Sequence, residues 1–399
     1  MRQLQGLSKM TDIQIESDGE GASAYGNPLK AACEGFESGR LSHDSFDGLY
    51  EQLHAEGRRR VDSLVFEHGL EKRLAEICSA HGLALSLGWY LCHDRVSKRR
   101  YWIKLGRSAA DWNEADIAAT ERISKRKSGD HVILVTFDEA QNVFLGSSRL
   151  ATGWTAWEDI RTLIRSLTGR NPRAIREMSA ATPEEIAPAV AYIASLGRYS
   201  RKVISIRRRF VNGVLSPYFH ADPTDLDAFV LAADGKLSCL EFKRKYPARG
   251  DKKYFGLDEV PHVATMRLMT SLDIRMLHIL LVAPNWTDSE SPVRWLYQSD
   301  NAPKWTWVVG WIDESALVEG VKLITRGGKS GQRIGTRFQR AIDWQKLYEL
   351  HRGLKMDDVA CAHLASMLKW LHPELASASY SALALRSIPQ ILYGSRAHQ

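Results

Sequence analysis

The sequence predicts an α/β protein: a mixed sheet flanked by helices, preceded by an α+β region and followed by a helical segment. Three observations carry this. Residues 224–253 read TDLDAFVLAADGKLSCLEFKRKYPARGDKK, in which an acid opens an apolar run, an Asp-Gly pair marks a turn, and an alternating run ends in Glu-x-Lys. Ahead of that stretch, Thr182-Pro183-Glu184-Glu185 has the form of a helix start, with a capping threonine, a first-turn proline and a glutamate three residues on. Behind it, Met276 to Val282 is an unbroken apolar strand pattern.

Taken in order, residues 1–27 are polar and rich in Ser and Gly, and are expected to fray. Residues 28–170 form the α+β region. Leu49, Leu53, Val61, Leu64, Val65, Leu70, Leu74 and Ile77 fall at helical spacings. The period then changes: Leu83 to Cys92 and Arg100 to Leu105 read as two strands, 113–127 as a helix with Asn113 as N-cap, and His131 to Phe137 with Asn142 to Leu145 as a hairpin. Trp154 to Leu167 has an amphipathic helical pattern that ends at Gly169. Residues 171–315 hold the core signal. There the helix from Thr182 is expected to lead into a first strand, Val203 to Ile206, that runs into Arg207, Arg208 and Arg209. A helix over Leu257 to Leu272 and strands over Met276 to Val282 and Trp307 to Ile312 follow. Residues 316–399 open on a basic glycine-rich stretch and continue as a helical pattern over 338–370, with Phe338, Ile342, Leu347, Leu350, Val359, Leu364, Met367 and Leu368 as the expected packing positions.

Composition sets outer limits. A formal net charge of +7 over 399 residues permits a polyanionic partner without requiring one. Cys33, Cys78, Cys92, Cys239 and Cys361 show no C-x-x-C spacing and read as reduced thiols, which points to a cytoplasmic protein. No apolar run approaches the roughly 20 residues of a membrane helix. Ile133 to Glu139 has the apolar strand and acid pair of a nucleotide hydrolase. The phosphate-cradling G-x-x-x-x-G-K-[ST] is missing, however, because the first glycine required before Gly328-Lys329-Ser330 falls on Leu323. H-E-x-x-H and G-x-S-x-G are also absent.

Strand alternation places Leu237, Cys239, Glu241 and Lys243 on one face of the second run, and Ser238, Leu240 and Phe242 on the other. An acid and a lysine closing an apolar strand need a partner or a metal, since unpaired charge leaves water at high cost. The order Asp227, apolar run, Asp-Gly turn, strand, Glu241-Phe242-Lys243 resembles the PD-(D/E)XK nuclease superfamily, the restriction-endonuclease-like fold, over about Pro183 to Trp311. Asp222 precedes Pro223, so the literal Pro-Asp order is reversed here. The resemblance implies a metal-dependent nuclease, with DNA the commoner substrate, Mg²⁺ as the cofactor and Mn²⁺ able to substitute. It implies Asp227 and Glu241 as metal ligands, the backbone carbonyl of Phe242 as a third, and Lys243 as the residue that orients water or stabilises charge. Asp225 is the fallback for Asp227. The family's further acid from the helix before the sheet falls on Glu184 or Glu185, although capping explains both equally well. A catalytically silent nucleic-acid-binding protein and an RNA-directed nuclease are the alternatives, and a homodimer or an activating protein partner is compatible with each.

Basic residues supply the nucleic-acid expectation. Arg207 and Arg209 share a face if their segment is a strand. Arg244, Lys245, Arg249, Lys252 and Lys253 follow the Glu-x-Lys element, interleaved with Tyr246, Tyr254 and Phe255, as in a loop that tracks a backbone and stacks on bases. Lys329, Arg333 and Arg337 lie in the glycine-rich stretch, which reads as a phosphate cradle or as a linker.

Overall fold

The computed structural model describes residues 27–372, apart from 95–96, 107–111, 126–128, 179, 220–222, 245–254, 283–290, 298–304, 327–335 and 344–345. The expectations of a frayed start and of Lys245, Arg249, Lys252, Lys253, Lys329 and Arg333 in binding roles lie outside the described residues, as does Asp222.

Three helices open the chain: α1 (Pro28–Glu37), α2 (Phe46–His54) and α3 (Arg58–His81). Side chains of Asn27 and Ser45 cap the first two, and Gly82 ends the third in the left-handed region that glycine adopts without penalty. Strands β1 (Ala84–Ser86), β2 (Trp89–His93) and β3 (Arg100–Gly106) lead to α4 (Glu114–Ser124), where Asn113 and Asp116 form a reciprocal capping box. Strands β4 (Asp130–Asp138), β5 (Val143–Leu150), β6 (Gly153–Trp154) and β7 (Glu158–Asp159) precede α5 (Ile160–Thr168) and α6 (Pro183–Ser195).

The segment expected as a first core strand is helical. Helix α7 (Arg198–Arg209) runs on through a π-helical turn, Phe210–Leu215, to Tyr218. Val203-Ile204-Ser205-Ile206 has strand-forming side chains, but burial follows the helical spacing Ile204, Ser205, Arg209, so packing overrides a weak local preference. The buried side is polar: Ser205 Oγ lies 3.1 Å from His43 Nδ1, and Arg209 reaches His43 Nε2 at 2.9 Å and Asn142 Oδ1 at 2.7 Å.

Strands β8 (Thr224–Leu226), β9 (Ala228–Leu231) and β10 (Leu237–Arg244) come next. They lead to β11 (Phe255–Asp258), a turn over 259–263, and α8 (Ala264–Ser271). This helix is shorter than the expected 257–272, and Val260, expected to pack, is exposed. Strands β12 (Arg275–Val282) and β13 (Thr306–Ile312) match expectation. The final segment is mostly not helical: β14 (Leu317–Arg326), β15 (Thr336–Ile342) and β16 (Tyr348–Arg352) precede α9 (Asp358–Leu368). Phe338 and Val359, expected in the core, are exposed, whereas Leu347, Leu350, Leu364 and Leu368 are buried.

The central sheet has the order β1-β9-β10-β12-β13-β16 and is mixed. β9 and β10 are an antiparallel hairpin, and β10 and β12 are parallel, joined through α8. One face packs on α3, α6 and α9 through Val65, Leu70, Ile186, Leu240, Phe242 and Leu364. The opposite face packs on α4 and α8 through Ala119, Ile123, Phe229, Cys239 and Met269. Leu237 and Cys239 therefore lie opposite Leu240 and Phe242, as period two requires.

A second sheet runs β6-β5-β4-β3-β2-β8, with β7 on β5, and a third runs β11-β15-β14. The expected single strand over 83–92 is divided between the first two sheets. β1 pairs with β9 in the central sheet, and β2 pairs with β8 and β3 in the second. Gly88 makes that crossing. Its φ is +78°, and an added Cβ would lie 2.8 Å from the Leu105 carbonyl oxygen. Replacing Gly88 by alanine is expected to lower stability by roughly 1–3 kcal/mol, read as a lowered denaturation midpoint with an unchanged slope. Within residues 28–170, β1 and α3 belong to the central sheet and its cover. Among the described residues no helix is long and apolar enough to cross a membrane.

Candidate active site

Strand register builds the site. β9 and β10 pair Ala228 with Leu240 and Phe229 with Cys239. Asp227 lies one residue beyond that pairing and is bonded to the Phe242 amide, and β12 sets His278 beside Glu241. At that point the chain leaves the central sheet, because β8, one residue before Asp227, already pairs with β2. β10 ends there in Glu241, Phe242, Lys243 and Arg244.

Glu241 is 1% exposed. Its Oε1 lies 2.5 Å from Lys243 Nζ and 3.1 Å from His262 Nδ1. His278 Nδ1 donates to the Glu241 carbonyl oxygen at 3.1 Å. Burial opposes a charge on Glu241, but interaction with His262 and with the Lys243 ammonium outweighs it and holds the carboxyl down at about 2. Asp227 Oδ2 accepts the Phe242 amide hydrogen at 2.5 Å, which ties the acid across to the Glu-x-Lys strand. Burial, then the Glu241 carboxylate, push Asp227 well above its ordinary value, and Lys243 opposes them. Lys243 is pushed upward, because the Glu241 and Asp227 charges overcome its own desolvation. It stays protonated through the neutral range, the opposite of what a lysine base requires.

Asp225 stands nearer the mouth and is exposed at its surface, yet crowding by protein and the Glu67 carboxylate lift it to about 7. Glu67 is the residue that sequence reasoning misses. It lies on α3, half-buried, and desolvation raises its carboxyl while Lys243 draws it down. One turn on, Glu71 pairs with Arg207 at 2.5 Å, and both charges act on Asp225. The signal was available in sequence as two glutamates four residues apart on one helix face, but α3 lies about 150 residues ahead of the Asp227 element.

Other expected residues are placed elsewhere. Glu184 and Glu185 are exposed at the start of α6, where Glu185 closes the capping box with Thr182. Neither enters the electrostatics of Asp227, Glu241 or Lys243. Thr182→Ala should therefore cost about 0.5–2 kcal/mol of stability, and Glu185→Ala less, with turnover unchanged in both. A selective loss of turnover in Glu185→Ala would restore it to the site. Arg209 is 3% exposed and committed to His43 and Asn142, so it holds the fold together rather than facing a phosphate. Arg207 does face the site, from a helix and not a strand. Arg244 lies over the Phe66 ring at 4.8 Å. Arg337 lies on β15 opposite Thr325 of β14. The five cysteines are buried free thiols.

A hard divalent cation fits this donor set. Mg²⁺ takes one or two carboxylates and completes its shell with waters and phosphate oxygens. The Glu241 charge raises Asp227, and that repulsion is what a cation relieves. Among the described residues no three His, Cys, Asp or Glu side chains gather closely enough to hold a metal by themselves. The remaining ligands would therefore come from a main-chain carbonyl, water and substrate. No protein-family model, curated protein or solved structure matches the chain.

Proposed function

We propose that this protein is a metal-dependent nuclease that hydrolyses phosphodiester bonds, with DNA as its expected polymer. The observation that carries the reading is that Asp227 accepts the Phe242 amide hydrogen at 2.5 Å, between Glu241 and Lys243, with Lys243 2.5 Å from Glu241 at the end of β10. Support also comes from the order α3, β1, β9, β10, α8, β12. A helix-covered antiparallel meander followed by a parallel strand is the arrangement expected of the restriction-endonuclease-like fold, here with its first helix and strand drawn from residues 58–86.

In this reading Asp227, Glu241 and the Phe242 carbonyl hold Mg²⁺, for which Mn²⁺ can substitute. When bound, the ion lowers the pKa of water and polarises the phosphoryl oxygen. Lys243, protonated, orients the attacking water and neutralises charge that builds on the phosphate. Water oxygen attacks phosphorus, the bond to the leaving oxygen breaks, and the proton lost by water is balanced by one gained at the leaving oxygen. Arg207 beside the acidic wall, with the basic residues that follow Lys243 in sequence, favours a polyanionic substrate.

The test is cleavage of linear, supercoiled and single-stranded DNA, and of RNA, with Mg²⁺, Mn²⁺ or EDTA. Metal-dependent cutting of DNA is expected. Cutting of RNA alone would redirect the substrate. Tight nucleic-acid binding without cutting of any polymer would overturn the nuclease reading in favour of a binding protein.

A further inference from the structure

The third sheet narrows to two strands at one end. β11 pairs with β15 only from Phe255–Ile342 to Asp258–Gln339, whereas β14 and β15 stay paired through Ile324–Phe338 and Thr325–Arg337 to Arg326–Thr336. Beyond Gln339 the sheet is therefore a two-stranded ribbon. Its base is anchored. Gln339 is buried and donates to Asp258, and Gly256 leaves room for it, since an added Cβ would lie 2.2 Å from Gln339 Oε1. Phe255, Leu257 and Ile342 pack in one cluster with Leu280 and Val308 of the central sheet. Between the pairs Leu317–Ile342 and Lys322–Arg340, five residue steps along β14 correspond to two along β15, with Gly320 at a φ of +70°. Such an irregularity bends and twists a ribbon. β11 also leads directly into the turn where His262 Nδ1 lies 3.1 Å from Glu241 Oε1, so the ribbon starts beside the candidate site.

The composition of the ribbon is that of a polyanion binder. β14 and β15 carry Lys322, Arg326, Arg337 and Arg340 against one acid, Glu319. Phe338, 51% exposed, is a large apolar side chain in this basic setting. Paired strands lie about 4.8 Å apart. The major groove of B-DNA, about 12 Å wide, admits a two-stranded ribbon, and the minor groove, about 6 Å wide, is too narrow for one. A ribbon in that groove has phosphates along both flanks, where cations supply affinity. It has base edges in front of it, where thymine methyl groups offer apolar contact. We propose that the β14–β15 ribbon is a duplex-binding element that lies in the major groove of DNA. The inference rests on the nuclease reading for its polymer and deepens it, by making that polymer a duplex and assigning its capture to an element separate from Asp227, Glu241 and Lys243. A-form RNA has a deep, narrow major groove that side chains do not read, so duplex RNA is the weaker ligand.

The test is binding by fluorescence anisotropy with EDTA present, so that no metal-dependent cleavage intervenes. The full-length protein is offered duplex DNA, single-stranded DNA of the same length and duplex RNA. The triple variant Lys322→Ala, Arg326→Ala, Arg337→Ala should raise Kd for duplex DNA by about 10-fold or more and lower the slope of log affinity against log salt by roughly 2–3. Its loss on single-stranded DNA should be smaller. The charge-keeping triple Lys322→Arg, Arg326→Lys, Arg337→Lys should retain the wild-type slope. Phe338→Ala should weaken duplex binding by about 5-fold or more with the slope unchanged. A measurement on the wild type needs no variant: glucosylated 5-hydroxymethylcytosine fills the major groove and should weaken binding by about 10-fold or more, whereas a minor-groove drug should leave it unchanged. Unchanged duplex affinity in the alanine triple, or equal losses on duplex and single strand, would overturn the proposal. So would displacement by the minor-groove drug with full tolerance of the glucosylated duplex. Equal losses in both triples together with lowered thermal midpoints would make the ribbon a fold element only. Cleavage is scored separately. If the wild type cuts DNA and the alanine triple binds duplex like the wild type, only this proposal falls. If the wild type binds duplex through the ribbon but cuts no polymer with Mg²⁺ or Mn²⁺, the nuclease reading falls and the ribbon assignment stands.

Discussion

Lys243→Ala is expected to leave a folded protein whose cleavage rate is reduced by at least about 10²–10³-fold, the usual consequence of removing one preorganised charge-stabilising donor. The geometry makes the loss specific. Lys243 Nζ is 2.5 Å from Glu241, and the Glu241 and Asp227 charges hold it protonated, whereas Arg244, the next residue on β10, lies over the Phe66 ring. The side chain is 39% exposed but Glu241 is only 1% exposed, so the alanine variant leaves a buried carboxylate with one cation fewer, at a cost of up to about 3–5 kcal/mol. The thermal midpoint should therefore fall, and turnover, measured where the variant is still folded, should collapse beyond what that loss explains. Lys243→Arg keeps the charge but replaces a compact ammonium with a planar fork, and should restore binding more than rate. Single-turnover kinetics with saturating Mg²⁺ separate these effects. An alanine variant that cuts at the wild-type rate would remove Lys243 from the chemistry. A pH–rate profile governed by a lysine losing its proton near neutrality would instead require Lys243 to be shifted downward, contrary to its surroundings.

The central hairpin was legible because its information is local. Asp227, the Asp234-Gly235 turn and the alternation to Lys243 lie within 17 residues, and the structure forms the hairpin there, with Ala228 opposite Leu240 and Asp227 bonded to the Phe242 amide. Capping was legible for the same reason at Asn113 and Thr182. The rest of the site depends on contacts made at long separation. Glu67 comes from a helix whose place over the sheet is decided by tertiary packing, and His262 from a turn after a strand that pairs with residues near 340. Periodicity alone carries no such partner information.

The largest misreading, a first core strand at Val203 to Ile206, shows the mechanism of failure. The helix at Thr182 was well marked and directly preceded it, so both were assigned to the start of the sheet. In the structure that position is held by α3 and β1, more than 100 residues earlier, and the segment 203–206 becomes helix α7. Gly88 and Leu226 mark the two crossings between sheets, and the long excursion between them is the second sheet with its helices. A crossing of that kind leaves only a glycine and an abrupt change of partner, and only the glycine is written in the sequence. The final segment repeats the lesson: Leu347, Leu350 and Leu364 are buried as expected, but the first two lie at or beside β16, which closes the edge of the sheet.

Asp227→Asn is expected to abolish cleavage and, at neutral pH without metal, to make the protein more stable. Asp227 is pushed well above its ordinary value of 3.8 by burial and by the Glu241 carboxylate. A carboxyl raised in the folded state favours the fold fully below its unfolded pKa, and that contribution is lost as pH rises through the folded pKa. The wild type should accordingly lose stability from about pH 4 upward, with Asp225 adding to the same trend as it ionises near 7. Asparagine removes the charge at Asp227 and keeps an oxygen to accept the Phe242 amide hydrogen. The variant should therefore gain roughly 0.5–2 kcal/mol at neutral pH, the scale of a relieved stability–activity conflict, and the gain should vanish toward pH 4. Mg²⁺ should reverse the order by stabilising the wild type through binding while leaving Asp227→Asn almost unmoved. Thermal melts at several pH values, with EDTA or Mg²⁺, give all four comparisons. A variant less stable than the wild type at neutral pH with EDTA would mean that the Asp227 charge is fully compensated in the fold. A variant equally stabilised by Mg²⁺ would move the metal site away from the Asp227–Glu241 pair.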